Sequence, residues 1–96
     1  MADSVQDLVQ STVESVEAFS VVLQNEGQAG HAARFKAIAG HLREGSLQAA
    51  LSEYERSAYS GPGGLNDIYA IDQARFDAAW SQCATKLRAL KRAIAD

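Results

Sequence analysis

The stretch Ser60-Gly61-Pro62-Gly63-Gly64-Leu65-Asn66-Asp67 constrains this chain more than any other. It carries three glycines and the only proline of the sequence within eight residues. Glycine admits backbone conformations that other residues avoid, while Pro62 fixes its own φ and biases Gly61 away from the helical region. A helix that enters this stretch must stop, and the next must be nucleated afresh. On either side the apolar residues recur at helical spacing, so the chain reads as helices divided by one glycine-rich turn.

The first apolar stripe runs through Val5, Leu8, Val9, Thr12, Val16, Phe19 and Leu23. It predicts a helix over 4–26, capped by Asp3 or Ser4 and stopped by Gly27. Asp7, Gln10, Glu14 and Glu17 share the opposite face. Val21 and Val22 fall away from the stripe, which leaves 19–23 apolar nearly all round and in need of a cover, either the glycine-rich loop or a partner chain. His31, Phe35, Ile38 and Leu42 mark a second helix over 28–44, closed by Gly45, with Ala32 and Ala39 small enough for close packing. His41 flanks that stripe and reads as exposed. Ser46 stands at the cap of a third helix over 46–59, striped by Leu47, Ala50, Leu51, Tyr54 and Ala58.

After the turn, Ile68–Ile71 reads as a packed turn, since a lone strand would have no partner. Asp72 then caps a last helix over 72–95, with Ile71 and Phe76 at the positions of a hydrophobic staple. Phe76, Trp80, Cys83, Leu87, Leu90 and Ile94 follow at the four-three spacing of a bundle seam. Trp80 and Leu87, central in it, are the expected core anchors. Four amphipathic segments with short links read as an all-α fold, a compact four-helix bundle in a single domain over 1–96.

Composition bounds the function. Twelve acids against nine bases give a net charge of −3, which leaves no basic footprint for nucleic acid. One cysteine makes no internal disulfide, no apolar run reaches membrane-spanning length, and the first residues carry Asp3 and Asp7 in place of a basic leader; the expectation is a cytoplasmic protein without membrane contact. Charge is unevenly divided. Residues 1–27 hold five acids and no base, and residues 73–96 hold five bases against two acids. The simpler reading sets the first and last helices side by side with attracting rims; the sharper one makes the acidic face a docking surface.

From Leu42-Arg43-Glu44-Gly45-Ser46, through a short helix and Tyr59–Asp67, to the last amphipathic helix, the order of elements resembles a family of small bacterial domains of unknown function. Its hallmark is a glycine-rich turn followed by Ser-Leu/Phe-Asn-Asp-Leu. Leu65, Asn66, Asp67 and Ile68 match that hallmark, and the likeness covers about residues 25–95. Gly64 replaces the serine, Pro62 interrupts the glycines, and Ala32 or Ala33 stands where a tryptophan is usual. The resemblance implies a bacterial source and a compact helical fold, and it carries no reaction with it.

Candidate sites are few. Gly61, Gly63 and Gly64 could cradle an anion on consecutive N–H groups, with Asn66 and Asp67 beside them, but the stretch fits neither the dinucleotide fingerprint nor the P-loop. Asn66 and Asp67 also read as ordinary turn and cap residues. Cys83 lies within the last stripe and reads as an inert core thiol. Two histidines on different faces make no metal set. Tyr59 adjoins the loop as a binding anchor or as a cover for the glycines. No nucleophile–base pair or carboxylate pair is recognisable, so neither catalysis nor a cofactor is expected. The reading that follows is a non-catalytic interaction protein of the immunity or antitoxin type, a monomer or homodimer that neutralises a toxin. Asp7, Glu14, Glu17, Val21 and Tyr59 would contact the partner. The alternative is a small anionic-ligand or nucleotide module built on the loop.

Overall fold

The computed structural model describes residues 3–58 and 70–95, with side chains over 5–56 and 70–94. It has four α-helices, α1 (Asp3–Asn25), α2 (Ala29–Arg43), α3 (Leu47–Ala58) and α4 (Gln73–Ala95). No strand occurs among the described residues. α1 begins at Asp3, one residue earlier than the apolar pattern suggests. α1 packs on both α2 and α4, and α2 packs on α3.

Two glycines make the first two reversals. Gly27 and Gly45 have φ of 76° and 81°, the left-handed region that side chains disfavour. Each closes its helix with the same pair of bonds. Gln28 N donates to Leu23 O at 2.8 Å and Gly27 N to Gln24 O at 3.1 Å; Ser46 N donates to His41 O at 2.9 Å and Gly45 N to Leu42 O at 3.2 Å. These bonds satisfy carbonyls that the helix ends would otherwise leave unpaired.

The core forms around Phe19, which is fully buried. Its ring meets Phe35 at 5.0 Å, Phe76 at 5.4 Å and Trp80 at 5.2 Å between centroids, while Trp80 also reaches Phe35 and Tyr54 at 6.1 Å each. One aromatic cluster thus draws on all four helices. Leu87 is buried as expected, while Trp80, which meets as many rings as Phe19, is only half-buried.

α1 and α2 come close where small residues allow it: Ala32 and Ala39 are buried, and the Ser20 hydroxyl donates to Ala32 O at 3.0 Å. The Thr12 hydroxyl, buried in the α1 stripe, is satisfied by donating to Leu8 O at 2.6 Å. Cys83 is buried too, and burial pushes its thiol pKa from 9.0 up to about 12, which leaves it protonated and unreactive at neutral pH.

Three expectations need correction. Val22 is buried, at 7% exposure, because α4 closes on the flank of α1 where it sits; only Val21 emerges, at 56%. Ile71 is 92% exposed, so it forms no staple, and Phe76 packs on Phe19 instead. His41 is half-buried in the last turn of α2.

Candidate functional site

α1 lies between α2 and α4, so its outward strip is the exposed ridge of that side. Residues seven apart on a helix fall almost on one line, since seven residues are just short of two turns. Asp7, Glu14 and Val21 form such a line, and all three are exposed. The two carboxylates stand about 10 Å apart along the axis. Neither makes an ion pair among the described residues.

The remaining acids of α1 have structural partners. Glu17 is ion-paired with Arg43 of α2. Glu26 reaches across to the start of α4, where its carboxylate accepts from Ile71 N at 2.6 Å and from Asp72 N at 3.0 Å. There the negative charge also meets the positive end of the α4 dipole. Asp72 completes the cap as expected, its Oδ1 accepting from Arg75 N at 3.2 Å. The charge pairing therefore differs from the simple picture of α1 attracting α4. Glu17 serves α1 and α2, while Lys91 of α4 is paired with Glu55 of α3. No ion pair joins α1 to α4 among the described side chains.

Grooves flank the ridge. Between α1 and α2 a groove of about 400 Å³ is lined by Val21, Gln24, Ala33 and Lys36 among others. Between α1 and α4 another, of about 450 Å³, is lined by Ala18, Val21, Arg75 and Ala78. Val21 is the crest between them, with Lys36 on one side and Arg75 on the other. No family model, curated protein or solved structure matches the chain.

Among the described residues no three of His, Cys, Asp and Glu converge to hold a metal ion, and no helix is long and apolar enough to cross a membrane. Of the residues singled out in the sequence, Asp7, Glu14 and Val21 share the ridge, and Glu17 sits beside it with its charge engaged by Arg43. Tyr59, Gly61, Gly63, Gly64, Asn66 and Asp67 lie outside the described residues. Sequence reasoning missed Lys36 and Arg75 at the groove edges, and it missed the capping role of Glu26. Nothing in the local sequence links Glu26 to a helix that begins at Gln73.

Proposed function

We propose that the protein acts by stoichiometric binding of a protein partner, in the manner of a bacterial immunity or antitoxin protein, through the α1 ridge. One observation carries this reading: Asp7 and Glu14 are exposed, aligned on the outward strip of α1 and without an ion-pair partner among the described residues, while Glu17 of the same helix and Glu26 just beyond it have partners. Unpaired carboxylates on a rigid element keep their field available to an approaching cation. Toxins that act on nucleic acids present basic clefts, and an aligned acidic strip is suited to steer such a surface. Steering raises the association rate above all and fades with salt, because the screening length is about 8 Å at physiological ionic strength.

The experiment is an association-rate measurement on a partner recovered with the immobilised chain and then purified. Reversal of Asp7 and Glu14 to Lys slows association at low salt and leaves high-salt association nearly unchanged. Reversal of Glu17 has a smaller effect on the rate, because Arg43 already offsets its charge. An unchanged low-salt rate in the Asp7/Glu14 variant removes the ridge from the mechanism. Failure to recover any macromolecular partner removes the proposal itself.

A further inference from the structure

The ridge has opposite electrostatic character at its two ends. Toward the amino terminus of α1 stand Asp7 and Glu14, exposed and without an ion-pair partner among the described residues. Toward its carboxyl terminus stands Val21, exposed, with small residues around it (Ala18, Ala33 and Ala78) and a cation in each flanking groove, Lys36 on α2 and Arg75 on α4; Glu17 also lines the α2-side groove, with its charge offset by Arg43. Lys36 and Arg75 are themselves exposed and have no ion-pair partner among the described residues. A surface acidic at one end and basic-rimmed and apolar at the other is complementary to itself when turned through 180°. That is the requirement for a two-fold interface, in which the same patch meets itself.

From this complementarity we infer that the α1 ridge is a homodimer interface, with the α1 helices of two copies crossing antiparallel beside Ala18. Antiparallel pairing about that point sets Glu14 of each copy against Val21 of the other, between Lys36 and Arg75 of the other copy. Ala18, with only a methyl group, lets the two helices approach closely at the axis. In this register the two α1 helices overlap over residues 10–25, about 24 Å at the helical rise. With the flanking grooves the strip is about 20 Å wide, or roughly 480 Å² in all. A standard interface buries about 800 Å² per partner, so the strip supports only a weak, reversible dimer. The inference goes beyond the binding of a foreign partner, and the two uses of the ridge exclude each other. A basic partner would have to displace the second copy.

Sedimentation velocity from micromolar to millimolar concentration tests it, with no partner present. The wild-type chain passes from monomer to dimer across that range, and added salt shifts the transition upward. Glu14→Lys raises the dimer dissociation constant about tenfold or more, and so does the double variant Lys36→Glu/Arg75→Glu. An equimolar mixture of the two recovers the dimer, because Lys at 14 on one copy then meets Glu at 36 and 75 on the other, while the second contact keeps its native charges. Circular dichroism of each variant establishes that these exposed changes leave the helices intact. A wild-type chain that stays monomeric at millimolar concentration overturns the inference, as does a mixture that dimerises no better than its components. Either result leaves the partner-binding proposal standing, since that is read from a different measurement.

Discussion

Phe19→Ala should be the most damaging single truncation in this protein, and its cost can be worked from the aromatic cluster. Phe19 is fully buried and contacts the rings of Phe35, Phe76 and Trp80 at 5.0 to 5.4 Å. Truncating a buried Phe to Ala costs about 3–5 kcal/mol, and the loss of three ring contacts places this site toward the upper end. A domain of 96 residues has roughly 5–14 kcal/mol of stability in total. The variant therefore loses a third or more of what holds it together. Urea denaturation followed by far-UV circular dichroism measures the loss. With a slope of about 1 kcal/mol per molar urea, the midpoint falls by about 4 M, and the folded baseline shortens or vanishes. Trp80→Ala should cost less, about 2–3 kcal/mol, because the indole is only partly buried and its removal leaves a gap that solvent can enter. Phe19→Leu, which keeps much of the volume, should cost about 1–2 kcal/mol. If Trp80→Ala proves costlier than Phe19→Ala, or if Phe19→Ala unfolds within about 0.5 M urea of the parent, the core is not centred on Phe19.

Other consequences are open to measurement. Cys83 should resist a thiol reagent at neutral pH in the folded protein and react at the rate of unfolding, since its thiol is buried and its pKa is pushed up to about 12. The sign of the linked pH dependence follows: between about 9 and 12 the unfolded chain has lost the thiol proton that the native one retains, so stability falls as pH rises through that window. Cys83→Ala should remove that alkaline component, which denaturation curves at several pH values would show. Gly27→Ala and Gly45→Ala should each cost about 1–2 kcal/mol from the positive φ alone, because a Cβ at either site meets nothing within 4 Å; Asn at either position should cost less than Val in thermal melts. Glu26→Ala should cost about 1 kcal/mol by uncapping α4, with Glu26→Gln intermediate, since a lone amide oxygen replaces two charged acceptors.

The helices were legible because their signals are local. Each apolar stripe is set by residues three and four apart, and the stops of α1 and α2 by glycines whose φ the turn requires; the observed ends fall within a residue or so of the expected ones. What could not be read was which arc of a helix faces which neighbour. Val22 counted as outside the stripe only while α1 was imagined with one buried side. Two neighbours, α2 and α4, widen the buried arc until it takes in Val22 and leaves Val21 alone. Ile71 failed in the opposite sense. Its position before Asp72 suggests a staple, but Glu26 holds the Ile71 and Asp72 N–H groups from the far side and the side chain turns to solvent.

The acids of α1 show why the site was less legible than the fold. In sequence Asp7, Glu14, Glu17 and Glu26 are equivalent members of one charge run. A carboxylate acquires a role from what stands opposite it, and that depends on residues far away in the chain: Arg43 for Glu17, the N–H groups of Ile71 and Asp72 for Glu26. Subtracting the two that are engaged leaves Asp7 and Glu14, on a line that ends at Val21. A run that looked like a broad acidic face becomes a narrow strip with an apolar, cation-flanked end. A uniformly acidic face would repel its own copy, whereas this one can pair with it. The partition of carboxylates between structural partners and solvent therefore decides whether the ridge is only solubilising or able to recognise something, and charge reversal at Glu14 set against reversal at Glu17 separates those outcomes directly.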